Sequence, residues 1–150
     1  MAEAIHEPIQ LSFPLPKSLD TRIHLRLDIK SKVITLFLTT VAADEEDQAA
    51  PLGSFVYALP DKYNPSQPLS TTIFAVEATL EFTTRLAKIL AKKTQMPVYV
   101  GNSISFANTG LGGTVEEEME ALKKVVDVSL DKLQGVIKVP SALPNGTGSS

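Results

Sequence analysis

The amino-acid sequence predicts an α+β domain, in which a mostly antiparallel sheet of about five to six strands carries two amphipathic helices on one face. In the first half of the chain, apolar residues alternate with polar ones, which is the period of a strand with one buried side. Near Ala78 the period changes to that of a helix. At 150 residues, a single chain buries about two-thirds of the surface that its unfolded form exposes, so we expect one self-sufficient core.

The predicted organisation is one domain with flexible ends. Residues 9–135 are predicted to form the α+β domain, and residues 1–8 a flexible N-terminus. Residues 136–150 are predicted to form a disordered tail, because they are mostly small, rich in Pro, Gly and Ser, and uncharged over their second half. Residues 42–51 contain a run of acidic residues and end in proline, which indicates a solvated acidic loop within the domain.

The first half of the chain is typical of a β-meander. Ile9 to Phe13 and Ile23 to Ile29 alternate in polarity, so each is expected to have one buried and one solvated side. Val33 to Thr40 lacks charge on both sides, which is typical of a central strand with both faces covered. Further strands are expected at Leu52 to Leu59 and at Thr71 to Val76, and these complete the meander.

The second half of the chain contains both predicted helices. The first begins near Ala78 and ends before Met96 and Pro97. Val98 to Val100 has the composition of a strand, which Gly101-Asn102 either ends or bulges before Ile104 to Phe106. A final edge strand is expected at Ile104 to Phe106.

The second helix begins at a capping box, in which Thr114 and Glu117 bond each other's backbone N–H groups. It is expected to end at Gly135. Its predicted apolar stripe consists of Met119, Leu122, Val126, Leu130 and Leu133.

Composition excludes several functional classes. The net charge is −3 and the basic residues are scattered, which is not the pattern of a protein that binds a nucleic-acid backbone. The absence of Cys excludes disulfides and thiolate catalysis. No secretory signal is evident, and no apolar run approaches the ~20 residues of a membrane helix. We therefore expect a soluble protein of the cytoplasm, and also of the nucleus, with no membrane partner.

No catalytic residue is predicted. His6 and His24 lack partners at the spacing of a catalytic triad or a metal site, and His24 is expected to be a surface or interface residue. Ser103 and Ser105 have no base placed by sequence to activate them and no nucleophile-elbow motif around them. We therefore expect a protein that is not an enzyme.

No cofactor or metal site is predicted either. The glycine-rich segment Gly110 to Gly113 precedes a helix, as phosphate-binding loops do, but it lacks the P-loop ending and three glutamates follow it. A plain connector is the preferred interpretation. Asp44 to Asp47 lacks the alternating spacing and glycine of a calcium loop, so solvated charge is preferred there.

The central strand Val33 to Thr40 carries the main functional signal. Two helices can cover one face of a sheet of this size, so the second face needs either a partner or the chain's own loops and tail. We favour a partner. The candidate interface residues are Ile23, Leu25 and Leu27 on one face, or Val33, Thr35 and Phe37 on the opposite face.

Four segments follow one another in a recognisable order: Arg85-Leu86-Ala87-Lys88, Ala91-Lys92-Lys93-Thr94, Pro97-Val98-Tyr99-Val100 and Glu117-Glu118-Met119-Glu120-Ala121-Leu122. In this order they resemble the proteasome assembly chaperone 4 family. The resemblance covers roughly Ile9 to Leu122 and rests on packing patterns. It implies an α+β subunit that pairs with a sister chaperone, the heterodimer then binding α-type subunits to help order the α-ring of the 20S proteasome.

Two other classes of function remain as alternatives. One is a non-catalytic adaptor or scaffold domain of a different complex, which would also pair and lack an active site. The other is a small-ligand-binding α+β protein, which would need a pocket with convergent polar groups.

Overall fold

The computed structural model describes residues 7–18, 20–42, 53–107 and 110–134. Most of the predicted N-terminus, acidic loop and C-terminal tail lies outside these residues. In chain order the elements are β1 (Ile9–Pro14), β2 (Thr21–Lys30), β3 (Val33–Ala42), β4 (Ser54–Leu59), β5 (Leu69–Phe74), α1 (Glu77–Thr94), β6 (Val98–Ser103) and α2 (Val115–Gln134).

The strands form one sheet in the order β1-β2-β3-β6-β4-β5. The pair β3–β6 is parallel and the other four pairs are antiparallel. The predicted α+β class, with a mostly antiparallel sheet and two helices, is confirmed.

The predicted meander is wrong, because β6 lies between β3 and β4. Val98 and Val100 on β6 are fully buried and Tyr99 between them is half-buried, which suits a strand with neighbours on both edges. The predicted edge strand Ile104 to Phe106 is also wrong. The side-chain oxygen of Asn102 accepts the N–H of Ile104 at 2.9 Å, which replaces a ladder bond and turns the chain out of the sheet.

Both helices pack on the same face of the sheet. Ile23, Ile34, Val56 and Val100 beneath them have no exposed surface. On α2 the predicted stripe is partly wrong, because Met119 is 45% exposed. The buried line of α2 is shifted towards Ala121, Val125 and Ser129, and it keeps Leu122, Val126 and Leu133. Neither described helix combines the length and the apolarity needed to cross a bilayer.

The N-terminus of α1 is capped by a residue from another element. Val76, the N-cap, offers no side-chain hydrogen bond of its own. The hydroxyl of Ser54 at the start of β4 accepts the N–H of Val76 at 2.9 Å and lies 2.8 Å from the hydroxyl of Thr79. The backbone N–H of Ser54 donates to the same Thr79 hydroxyl at 3.2 Å. These bonds fix α1 to the sheet at the start of β4.

Candidate protein-binding face of the sheet

The candidate site is the sheet face that points away from the helices, which we call the open face. The side under the helices contains Ile23, Leu25 and Leu27 of β2, which belong to the buried core. Their register partners on β3 are Thr40, Leu38 and Leu36. Residues that pair in register point to the same side of a sheet. The described residues place no helix on the opposite side, which therefore forms the open face.

The structure separates the two sets of candidate interface residues. Ile23, Leu25 and Leu27 are at most 2% exposed and belong to the core under the helices, so they are corrected to core residues and offer no surface to a partner. Val33 and Thr35 are half-buried and Phe37 is 38% exposed, all on the open face. One face of β3 is thus part of the core and the other is accessible.

Four aromatic rings stack across the centre of the open face. The ring planes of Phe37 and Phe55 are nearly parallel, with centroids 6.1 Å apart and an interplanar angle of 3°. Tyr99 lies 5.6 Å from Phe55, and Tyr57 lies 4.5 Å from Tyr99. The Tyr57 and Tyr99 rings are tilted by 35°, whereas the other two pairs are stacked. Aromatic pairs at these distances contribute about 0.5–1.5 kcal/mol per pair beyond area burial.

Gly101 explains how the rings of Phe37 and Phe55 meet. Both residues are the register partners of Gly101, one from each neighbouring strand. Glycine has no side chain to separate them, so the two rings approach each other above its backbone. Sequence reasoning missed Phe55, Tyr57 and Tyr99, although the alternation of these aromatics with buried Val56, Ala58, Val98 and Val100 is the signal that could have found them.

A polar and basic rim borders the aromatic stack on the side of β1 and β2. Arg22, His24 and Arg26 alternate along β2 on the open face and are exposed. The guanidinium of Arg22 donates to the Ser12 hydroxyl at 3.1 Å and to the Ser12 carbonyl at 3.0 Å. Between this rim and Phe37 lies a shallow groove of about 570 Å³. An apolar centre with a polar rim is the usual composition of a protein–protein interface.

On the other side, the apolar surface continues to the edge strand β5. All six of its residues are exposed, including Leu69 at 58% and Phe74 at 54%. Leu69 pairs with Leu59, and Phe74 pairs with Phe55 of the aromatic stack. Contiguous exposed apolar surface of this kind marks interaction sites on soluble proteins.

The glycine-rich segment before α2 is occupied by the chain's own carboxylate. Glu117, which is 2% exposed, accepts the N–H groups of Leu111 at 2.7 Å, Gly113 at 2.9 Å and Thr114 at 3.2 Å. The Thr114 hydroxyl accepts the N–H of Glu117 at 3.2 Å, which confirms the predicted capping box. Because these are the donors that a phosphate would use, Glu117 acts as the anion at this helix N-terminus.

The two serines considered as nucleophiles form hydrogen bonds within the fold. The Ser103 hydroxyl donates to Thr39 Oγ1 at 2.9 Å, and Ser105 Oγ accepts the N–H of Ala107 at 3.3 Å. His24 is exposed in the groove beside Phe37. Within the part of the chain that the structure describes, no group of three or more His, Asp or Glu could hold a metal ion.

Comparisons with known proteins bear on the family and the fold. The sequence model of a family described as proteasome assembly chaperone 4 matches residues 22–104, more than half of the chain. A chain from the crystal structure of a chaperone complex for yeast 20S proteasome assembly has a TM-score of 0.57 and 14% identity. That match covers 86% of this chain and 95% of the yeast chain, and at this identity it supports the fold alone. No curated protein matches the chain.

Proposed function

The chain belongs to the proteasome assembly chaperone 4 family, and on that premise we propose that it is a proteasome assembly chaperone subunit. In this proposal it forms a heterodimer with a sister chaperone, and the heterodimer binds α-type subunits of the 20S proteasome to promote α-ring assembly. It acts by binding alone, without catalysis, in the cytoplasm and the nucleus.

The observation that carries the proposal is the aromatic stack on the open face. Phe37, Phe55, Tyr57 and Tyr99 remain partly accessible in a chain whose helices cover only the opposite side of the sheet. A sister subunit of similar fold would place its own sheet about 10 Å away and cover these rings, as in a β-sandwich. Aromatic residues at the centre of an interface commonly contribute most of its binding energy.

The first test is affinity purification of the tagged protein from its native cells, followed by mass spectrometry. We expect a second small chaperone together with α-type proteasome subunits and little mature particle. Recovery of a different complex, with neither of these, would favour an adaptor role and contradict the proposal. Stabilisation by a metabolite in a thermal-shift screen would instead favour a small-ligand function.

The second test addresses the open face directly. We expect Phe37→Asp to weaken pairing with the sister subunit at least about 100-fold, because a carboxylate would be buried in an apolar interface. Pairing is measured by analytical ultracentrifugation over a dilution series. Circular dichroism checks that the variant is folded, as expected for a residue that is 38% exposed.

The matched control is Tyr63→Asp, which also replaces an aromatic residue by aspartate but at a position that is 98% exposed. This control should pair as the unmodified chain does. Undiminished pairing of a folded Phe37→Asp variant would exclude the open face as the dimer interface.

A further inference from the structure

A second concave surface lies at the N-terminal ends of the two helices. One hollow of about 480 Å³ is lined by Val76, Ala78, Phe106 and Glu118, among other residues. A smaller cleft of about 110 Å³ between α1 and α2 is lined by Glu81, Phe82, Arg85, Val115, Glu118 and Met119, together with Leu122.

The two hollows form one continuous surface. Glu118 lines both of them. The ring of Phe106 in the larger hollow lies 5.7 Å from the ring of Phe82 in the smaller one. We call this surface, defined by Val76, Phe106, Val115, Glu118 and Met119, the helix-end groove.

The helix-end groove exposes apolar side chains that the core does not use. Val76 is 38% exposed, Val115 75% and Met119 45%. The two α2 residues stand on the opposite side of the sheet from the aromatic stack, so pairing through the open face would leave them accessible. Methionine suits such a surface, because its flexible thioether adapts to the shape of a partner.

The charge around the groove is predominantly negative. Glu77 and Glu116 are exposed and Glu118 is half-buried, and among the described residues none of the three forms an ion pair. The cation in the cleft, Arg85, is already bound to Glu81 at 2.8 Å. The groove therefore complements a partner that carries positive charge, since like charges across an interface are unfavourable.

From these observations we infer that the helix-end groove is the docking surface for the client: it binds an apolar segment flanked by Lys or Arg on an α-type proteasome subunit. The identity of the client rests on the proposed function. The chaperone would then use two surfaces on opposite sides of its sheet, the open face for the sister subunit and the helix-end groove for the client.

The test measures binding of the purified heterodimer to individually purified α-type subunits by biolayer interferometry. We expect the double variant Glu116→Lys with Glu118→Lys to weaken binding of the client at least about tenfold, because it replaces attraction by repulsion. The control is Asp127→Lys with Asp131→Lys, which changes the charge of the same helix by the same amount at two exposed positions. This control should bind within about twofold of the unmodified heterodimer.

A second variant separates apolar contact from charge. Val115→Ser with Met119→Ser removes exposed apolar groups without changing charge, and it should weaken binding at least about tenfold while the salt dependence of binding is retained. Size-exclusion chromatography checks that each variant still forms the heterodimer.

The outcomes distinguish the inference from the proposed function. Client binding that is unchanged in both groove variants would overturn the inference and leave the proposed function standing. Failure of the unmodified heterodimer to bind any α-type subunit would overturn both.

Discussion

At the scale of single residues, Gly53 shows how closely the start of β4 approaches β6. Its φ is +71°, in the left-handed region, and a Cβ placed on it would lie 1.9 Å from the carbonyl oxygen of Asn102. No side chain fits between these two backbones. Gly112 has a similar φ of +76°, but a Cβ there would meet nothing within 4 Å.

This pair of glycines allows backbone strain to be separated from steric overlap. We expect Gly112→Ala to cost about 1–2 kcal/mol of unfolding free energy, from the left-handed conformation alone. Gly53→Ala should cost clearly more, because β4 and β6 must also move apart. Urea denaturation of both variants measures the difference. Equal losses would mean that the contact with Asn102 relaxes without cost.

At the scale of elements, helix α1 depends on a strand for its cap. Ser54 is fully buried and its hydroxyl accepts the N–H of Val76, so β4 supplies what the helix sequence lacks. Buried polar bonds continue from there, since Thr83 bonds to the carbonyl of Thr79 at 2.7 Å and the amide of Asn102 donates to Thr83 at 3.2 Å. The network positions α1 above β4 and β6.

We expect Ser54→Ala to lower the unfolding free energy by about 1–3 kcal/mol, because it removes the acceptor of the partly buried Val76 N–H and the bond to the buried hydroxyl of Thr79. The measurement is the urea midpoint at unchanged slope. Ser70→Ala, at an exposed position on β5, is the matched control and should change stability by less than about 0.5 kcal/mol. A midpoint for Ser54→Ala equal to that of the control would show that another group caps α1.

The elements themselves could be predicted because their signals are local. The capping box of Thr114 and Glu117 lies within four residues, and the polarity pattern of β2 follows from its own sequence. The ends of the elements are predicted less exactly. The sequence predicts a strand at Thr71 to Val76, whereas β5 spans Leu69–Phe74 and Val76 is the N-cap of α1. The cap from Ser54 could not be predicted, because it comes from a residue 22 positions away in the sequence.

At the scale of the whole molecule, the sequence pattern predicts neither the order of the strands nor which face of the sheet is open. An apolar strand shows how many of its sides are covered, but not by which neighbours, so the sequence does not predict that β6 lies between β3 and β4. Similarly, Ile23, Leu25 and Leu27 form as plausible an apolar surface as Val33, Thr35 and Phe37. Only the position of the helices distinguishes the two sets.

The central place of β6 has a consequence for unfolding. The strands β3 and β4 do not pair with each other, and each pairs with β6 instead. We therefore expect the two halves of the sheet to unfold together in one transition. The chain has no Trp, so urea curves from far-UV circular dichroism and from tyrosine fluorescence should be compared. Different midpoints would mean that the halves unfold separately.

The same arrangement matters while the chain is being made on the ribosome. From the end of β3 at residue 42 until β6 is complete at residue 103, the growing polypeptide has no strand to place between β3 and β4. At the usual pace of translation, about 5–20 residues per second, this interval lasts about 3–12 s. Free strand edges with apolar neighbours are prone to aggregate. During this interval the nascent chain is therefore itself prone to aggregate, before it can assist any other protein.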